Sequence, residues 1–340
     1  MRRTPAALAL TAALALVVPA GAACSQPVER PAPTSTTRVL AISVDGLNTD
    51  AISELGAEGA PTFHRLLDEG AGTLNARTEH EQTVTLPNHT GMMTGRRVDA
   101  ARGGHGVTWD DDRTSMTVQK AAGHPVSSVF TVAHAAGGAT ALFTTKEKFG
   151  LYERSWRAGI DRYEVDEDQA QLVKDVRADL VSADRTFTFL HVSLPDRFGH
   201  QYGGMSPQYL AAVQRTDAQL GRLLKTIRKD AGLRQDLVVV LTADHGFAPG
   251  LLDHSGRTTL ANYRIPFLVW GAGVTQGDLY DLNPAYKDPG TKRPTYAAKR
   301  QPVRNADVAD LAAGLLGLEA VPGSEMDADQ SLVVTAEPTR

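Results

Sequence analysis

Three apolar runs in this chain each break off at an aspartate, and this repeated ending constrains both the fold and the chemistry. The runs cover residues 38–44, 187–194 and 236–243, and the aspartates that follow them are Asp45, Asp196 and Asp244. Val-rich runs of this length suit strands covered on both faces of a sheet, and ligands collect at the carboxyl ends of such strands. A single aspartate there often only caps the next helix or turn. Three together predict one sheet edge that presents three carboxylates.

Strands and helices alternate along the body of the chain, which is the order of an α/β fold with a largely parallel sheet. Further strands are predicted over residues 139–145 and 265–270, and helices over 61–69, 166–182, 206–229 and 305–318, with another starting near Pro87. Residues 271–304 carry Gly, Pro and Lys without a clear period and are expected to form a surface excursion. A catalytic domain is predicted over 38–320, followed by a polar tail, 321–340, that is expected to be partly disordered.

The amino terminus has the pattern of an export signal over residues 1–23. Its apolar run is shorter than the roughly 20 residues that span a bilayer, so a signal fits better than a transmembrane anchor. Cys24, the only cysteine, follows small residues, so the mature chain is expected to begin there with a lipid anchor or to be cut after Ala22 or Ala23. Residues 24–37, with their Pro, Ser and Thr, are predicted to be a flexible spacer. The predicted location is extracytoplasmic, secreted or anchored as a bacterial lipoprotein.

Composition limits the partners of the mature chain. With 340 residues, 42% of them hydrophobic and 22% charged, the chain can bury a large core. Removing Arg2 and Arg3 with the signal takes the basic side chains from 35 to 33 against 39 acidic ones, a formal charge of −6. This mild acidity argues against a nucleic-acid partner and leaves room for a local pocket that binds a small phosphate ester.

Histidines accompany the strand-end aspartates. Asp196 and His200 are four residues apart, which brings both to one side of a helical turn, and His245 directly follows Asp244. His254, nine residues further on, lies in a polar loop that returns toward the sheet. Three carboxylates and three imidazoles are too many for one structural zinc, and a mixed N/O set fits a pair of Zn²⁺ or other first-row ions better than Ca²⁺ or Mg²⁺. Two such metals can clamp both oxygens of a phosphoryl displacement.

A candidate nucleophile is Thr85, in the segment Thr85-Leu-Pro87-Asn88-His89. Pro87 suits the first turn of a helix, so the Thr85 hydroxyl would lie at a helix amino terminus, where free N–H groups favour an alkoxide and an incoming anion. The alternative is that Thr85 only caps the helix or lies in a loop.

These motifs, in this order and spacing, resemble the alkaline phosphatase superfamily, and most closely its type I phosphodiesterase/nucleotide pyrophosphatase branch with a threonine nucleophile. The motifs that carry the resemblance are Val44-Asp45-Gly46, Thr85-Leu-Pro-Asn-His89, Pro195-Asp196-Arg-Phe-Gly-His200, Thr242-Ala-Asp244-His245-Gly246 and His254. The likeness spans roughly residues 38–318. It implies a three-layer sandwich, with helices flanking a largely parallel central sheet.

The resemblance also implies how the ligands are divided between two metals and what Thr85 does. Asp196, His200 and His254 would hold one metal. Asp45, Asp244 and His245 would hold the other, with Thr85 bridging toward it. Thr85 would be phosphorylated transiently, and water would then release the phosphate product.

Substrate contacts are less clearly defined by the motifs. Diesterases of this family place a phosphate-binding Asn shortly after a His-Gly pair, where this chain has Asp110 after His105-Gly106. A carboxylate there would repel a phosphate unless it is protonated or turned away, so either a neighbouring residue takes the role of the Asn or the substrate differs. Lys146 and Lys148 look similar to the Lys-x-Lys segment of phosphonoacetate hydrolases, although such lysines also occur in solvated loops. We expect these three residues to contact substrate, and we expect structural roles for Asn88, His89, His105 and His191.

The predicted function is that of an exported two-metal phosphoric ester hydrolase, a phosphodiesterase or nucleotide pyrophosphatase that acts through phospho-threonine. A phosphomonoesterase or a phosphonoacetate-type phosphonate hydrolase is the nearest alternative. From a different class, the chain could be a surface lipoprotein that keeps the fold as a non-catalytic binding module. The sequence argues against a sulfatase because those enzymes need a Cys or Ser in a Cys/Ser-x-Pro-x-Arg motif, and the one Cys of this chain lies at position 24.

Overall fold

The computed structural model describes Met1 and residues 38–335. The predicted export signal and spacer, apart from Met1, fall in residues 2–37 and lie outside the described residues, as do residues 336–340. No helix in the described part of the chain combines the length and apolar character that crossing a membrane requires.

A mixed, mostly parallel sheet forms the centre of the molecule. Its strands are β1 (Arg38–Val44), β2 (Ala71–Arg77), β3 (Ala139–Thr144), β4 (Arg162–Val165), β5 (Arg185–Val192), β6 (Leu237–Thr242), β7 (Arg264–Gly271) and β8 (Gly277–Asp278). They lie in the order β4-β3-β5-β1-β6-β7-β2-β8. The five strands from β4 to β6 are parallel, whereas β7 is antiparallel to both of its neighbours.

Helices cover the sheet in two layers. They are α1 (Thr49–Gly59), α2 (Pro61–Glu69), α3 (Thr85–Thr94), α4 (Val118–Ala122), α5 (Val129–Ala135), α6 (Gly150–Trp156), α7 (Gln169–Ser182), α8 (Leu194–Tyr202), α9 (Pro207–Lys229), α10 (Ala231–Asp236), α11 (Leu260–Tyr263), α12 (Leu279–Leu282) and α13 (Val308–Leu315). One group, α1, α2, α7, α8 and α10, packs around the long α9, and a second group is formed by α3, α5 and α13. The predicted three-layer α/β fold is confirmed.

The strand order brings the three aspartate-bearing runs together. β1 lies between β5 and β6, and in register Ser43 pairs with His191 on one side and with Thr242 on the other. Every residue of β6 is buried, as expected for an apolar strand covered on both faces. Because the three strands are parallel, their carboxyl ends meet at one edge of the sheet.

Three expectations about the carboxyl-terminal third need correction. The predicted helix over 305–318 is a short 3-10 turn, Asn305–Asp307, that continues into α13, and the excursion after residue 271 contains β8 and α12. Residues 321–335 do not form a disordered tail, because Val321, Leu332 and Val334 are buried in the core. The Val334 carbonyl accepts a hydrogen bond from the Thr275 amide, 2.8 Å away. Scattered apolar residues anchor this otherwise polar segment.

Gly46 closes the turn between β1 and the site and has a testable structural role. Its φ is +72°, and a Cβ there would lie 2.8 Å from the Asp196 Cα. We expect Gly46→Ala to lower the free energy of unfolding by about 2–4 kcal/mol, from backbone strain and the close approach together. Urea unfolding measures this loss.

Gly250→Ala is the matched control for this substitution. Gly250 also has a φ of +72°, but its added Cβ would meet no atom within 4 Å. The control is expected to lose only the strain of the left-handed backbone, about 1–2 kcal/mol. Equal losses in the two variants would show that the approach to Asp196 does not matter.

Candidate metal centre and nucleophile

Six predicted ligands converge where β1, β5 and β6 end. Asp45 follows β1, Asp244 and His245 follow β6, and α8, which begins two residues after β5, carries Asp196 and His200. The loop before α11 brings His254 back to the same edge. The ligands form two groups: triad A contains Asp196, His200 and His254, and triad B contains Asp45, Asp244 and His245. Within each triad the candidate ligand atoms lie within 4.8 Å of one another.

The spacing of these atoms matches a metal shell. In triad A, Asp196 Oδ1 lies 3.3 Å from His200 Nε2 and 3.6 Å from His254 Nε2, and the two Nε2 atoms are 3.2 Å apart. In triad B, His245 Nε2 lies 3.1 Å from Asp244 Oδ2 and 3.4 Å from Asp45 Oδ1. Ligands about 2.0–2.1 Å from a tetrahedral Zn²⁺ are separated by about 3.3 Å. Both triads therefore have the dimensions of a divalent metal site.

Each carboxylate is held by one oxygen and leaves the other free. Asp244 Oδ1 accepts hydrogen bonds from the amides of Gly46, at 3.1 Å, and His245, at 2.9 Å. Lys146 Nζ donates to Asp45 Oδ2 at 2.6 Å and to Asp196 Oδ2 at 2.7 Å. Within residues 38–335 the opposite oxygens, Asp45 Oδ1, Asp196 Oδ1 and Asp244 Oδ2, are buried without a hydrogen-bond partner. Those are the atoms that face the centre of the triads.

The imidazoles are oriented in the same manner. Each places Nδ1 against a backbone carbonyl: His254 against Thr83 at 2.7 Å, His200 against Leu252 at 2.9 Å and His245 against Gly246 at 3.1 Å. A proton on Nδ1 satisfies each carbonyl and leaves Nε2 as the metal-binding atom. The protein scaffold thus selects the same ligand nitrogen in all three histidines.

Burial of these carboxylates favours positive charge at this edge. Asp45 and Asp244 are fully buried and Asp196 is 3% exposed, so three carboxylates share a small volume removed from water. Burial alone raises the pKa of Asp45, but the Lys146 ammonium and the His191 hydrogen bond hold it well below its usual value. Burial lowers the pKa of His245, but the Asp244 carboxylate outweighs this and raises it to about 9. The donor set and its negative field fit two divalent cations.

Thr85 begins α3 and is anchored to both triads. The hydroxyl of Thr83 donates to the His254 carbonyl at 2.7 Å, which fixes the approach to the helix on triad A. At the first turn, His89 Nδ1 lies 2.8 Å from the Thr85 carbonyl oxygen and 3.6 Å from Asp244 Oδ2 of triad B. The structure therefore places the start of α3, where Thr85 lies, beside the six predicted ligands.

The three predicted substrate contacts lie beside this centre. Lys146 bridges a carboxylate of each triad, as described above. Lys148 Nζ lies 2.8 Å from Asp110 Oδ2, and Asp110 Oδ1 accepts the Leu86 amide at 2.9 Å. Substrate binding by Lys146, Lys148 and Asp110 stays a prediction.

His191 contributes more to the site than the structural role expected from the sequence. His89 contacts Ser43 Oγ at 2.8 Å, Asn88 accepts the Glu79 amide at 2.9 Å, and His105 accepts the Val107 amide at 3.1 Å, so all three have the expected structural hydrogen bonds. His191 Nε2, however, lies 2.9 Å from Asp45 Oδ2 and steadies a predicted metal ligand. A histidine near the carboxyl end of a predicted strand, close to the other candidate ligands, was the available signal.

Comparison with known proteins agrees with this geometry. The family model for type I phosphodiesterase/nucleotide pyrophosphatase matches residues 39–300. The fold and the match place the chain in the alkaline phosphatase superfamily, as the motifs predicted. Within it, the chain belongs to the type I phosphodiesterase/nucleotide pyrophosphatase family.

Solved structures share the fold at low sequence identity. Murine ectonucleotide pyrophosphatase/phosphodiesterase 5 has a TM-score of 0.60 and 16% identity, over 84% of this chain and 96% of that chain. An inactive form of that murine protein has been solved in complex with AMP. The human counterpart has a TM-score of 0.60 and 15% identity, over 86% of this chain and 99% of that chain.

Among curated proteins the chain is similar to parts of much longer fungal enzymes. GPI ethanolamine phosphate transferase 1 of Yarrowia lipolytica is 31% identical over 146 residues, 41% of this chain and 15% of the relative. The enzyme of the same name from Schizosaccharomyces pombe is 28% identical over 155 residues, 45% of this chain and 16% of the relative. The matched region is thus a small part of each relative.

Lys146 is expected to stabilise the metal-free protein by neutralising Asp45 and Asp196. We expect Lys146→Met to lower the unfolding free energy measured with a chelator present by about 3 kcal/mol, because it leaves buried carboxylates unpaired. With saturating Zn²⁺ the loss should be smaller, because bound cations replace the ammonium.

Lys148→Met provides the matched control. Its partner Asp110 has a side chain 37% exposed, so the loss should stay below about 1 kcal/mol. Similar losses in both variants under chelation would contradict a special role for Lys146.

Proposed function

We propose that this protein is an exported two-metal hydrolase of phosphoric esters in which Thr85 accepts the phosphoryl group. The observation that carries the proposal is the set of six ligand atoms around the amino terminus of the helix that Thr85 begins. In each of these side chains, the second carboxylate oxygen or ring nitrogen makes a hydrogen bond that orients the ligand atom. Membership of the type I phosphodiesterase/nucleotide pyrophosphatase family supports chemistry at a phosphoester bond. Export rests on the pattern of residues 1–23.

Triads A and B would each hold one divalent ion, with Zn²⁺ the best fit to the N/O donors. When bound, the two ions supply Lewis-acid stabilisation of the charge on attacking and leaving oxygens. Thr85 Oγ gives up its proton to water and forms the bond to phosphorus while the bond to the leaving oxygen breaks, and the departing alkoxide takes up a proton from water. Water then attacks the phospho-threonine, which releases phosphate product and restores the Thr85 hydroxyl.

A phosphodiester or nucleotide pyrophosphate is the substrate class that the family supports best. An open cavity of about 310 Å³ adjoins triad A and offers room for a leaving group. Its lining residues are Thr145, Lys146, Glu167, Ser193, Asp196, Arg197 and His200. Phosphomonoesters and phosphonates are the alternative, favoured by the two lysines beside the centre.

Similarity to the fungal transferases favours a second candidate, transfer of the phosphoryl group to an alcohol. Hydrolysis and transfer share the phospho-threonine and differ only in whether water or an alcohol attacks it. Addition of ethanolamine or glycerol to the assay distinguishes them, since a transferase forms the new ester at the expense of free phosphate product. A non-catalytic binding module would turn over no ester under either condition.

Replacing the nucleophile tests the proposal directly. With Zn²⁺ present, we expect Thr85→Ala to lower hydrolysis of bis-p-nitrophenyl phosphate by about a thousandfold or more, because no phospho-enzyme can form. Metal content should stay unchanged, because the triads keep all their ligands.

Thr85→Ser is the control, since it keeps a hydroxyl at the same place and should retain measurable turnover. Assays of p-nitrophenyl phosphate, a nucleotide pyrophosphate and phosphonoacetate alongside the diester identify the preferred class. Full activity in Thr85→Ala would show that another group attacks phosphorus.

A further inference from the structure

The amide donor nearest to the nucleophile is already in use. Leu86 directly follows Thr85, and its N–H donates to Asp110 Oδ1 at 2.9 Å. An N–H group in the first turn of a helix is a preferred partner for a phosphate oxygen. α3 is ten residues long, and its first turn is the one that presents Thr85. A carboxylate therefore occupies the place where a phosphoryl oxygen would bind during attack by Thr85.

The second partner of this carboxylate is also one that a phosphate would use. Lys148 Nζ lies 2.8 Å from Asp110 Oδ2, and its side chain is 16% exposed. Lys148 belongs to the 3-10 turn Glu147–Phe149, adjacent to Lys146, which binds a carboxylate of each triad. Asp110 thus accepts hydrogen bonds from a helix N–H and an ammonium, two kinds of donor that also bind phosphate.

A further observation shows that this position faces the proposed metal centre. His89 Nδ1 lies 2.8 Å from the Thr85 carbonyl and 3.6 Å from Asp244 Oδ2. Asp244 is fully buried, and its Oδ2 atom has no hydrogen-bond partner in the region from residue 38 to 335. The first turn of α3 therefore lies next to a buried carboxylate oxygen that is free to bind a cation.

We propose that Asp110 is an internal competitor for the substrate phosphoryl group. Substrate binds by exchange: a phosphoryl oxygen takes the Leu86 N–H, and Lys148 leaves the carboxylate for the phosphate. Asp110, 37% exposed, has solvent to turn into. This inference rests on the proposed role of Thr85 and names Asp110 and Lys148 as the residues that set affinity for phosphate and phosphonate groups.

Binding of inorganic phosphate to the zinc-loaded protein, measured by calorimetry, tests the exchange. Asp110→Asn removes the competing charge and should tighten phosphate binding by about tenfold. Lys148→Met removes the cation that the phosphate acquires and should weaken binding by a similar factor, both alone and combined with Asp110→Asn.

Asp111→Asn is the matched control, because this substitution removes the same negative charge one residue away. Its side chain is 65% exposed and pairs with Arg113 at 3.1 Å. Phosphate affinity in this variant should equal that of the unmodified protein. If Asp111→Asn raised phosphate affinity as much as Asp110→Asn, the change in net charge alone would explain the effect.

Unchanged or weaker phosphate binding in Asp110→Asn, with normal thermal unfolding, would leave Asp110 as a helix cap and overturn the proposal. Unchanged binding in Lys148→Met would overturn the exchange as well. Phosphate binding needs no turnover, so the two proposals fail separately. If Asp110→Asn tightens phosphate binding but the protein hydrolyses no ester, the proposed function is wrong. If the protein shows Thr85-dependent hydrolysis but Asp110→Asn does not tighten phosphate binding, only the exchange is wrong.

Discussion

Burial of three carboxylates at adjacent strand ends is the constraint on which the rest of the site depends. Such a group of charges is unfavourable away from water unless cations and hydrogen bonds offset it. The protein supplies part of the compensation through the Gly46 and His245 amides, His191 and Lys146. It leaves the inward oxygens without partners in the described chain. That asymmetry makes the edge a site for cations rather than a polar core.

The charges of the site also explain why it suits a phosphate. Asp45, Asp196 and Asp244 with the Lys146 ammonium carry a net charge of −2, and protonation of His245, whose pKa is about 9, only reduces this to −1, so metal-free protein would repel an anion there. Two divalent ions would change the charge of −2 to +2, which matches a phosphoryl group and the charge that develops during its transfer. Asp110 and Lys148 neutralise each other nearby and alter this balance only when they separate.

Five of the six ligands could be predicted from sequence because each lies at a strand end or about one helical turn beyond it, and His254 because it lies in a polar loop that returns toward the sheet. Thr85 was found in the same way, because Pro87 marks the first turn of α3. The contacts of Lys146 and Asp110 could not be predicted, because they join residues 101 and 24 positions away in the chain. The Lys146 contacts follow from β3 lying next to β5 and β5 next to β1, an order that local patterns do not encode. Packing of residues 321–335 was missed because its few apolar residues show no period.

Metal content per chain, measured after loading with Zn²⁺ and removal of excess, shows whether the two triads are two separate metal sites. We predict about two ions in the unmodified protein, as two-metal sites require. His254→Ala, which removes one ligand of triad A, should retain about one ion, and His245→Ala in triad B should do the same. A single ion in the unmodified protein, or two ions in both variants, would contradict the account.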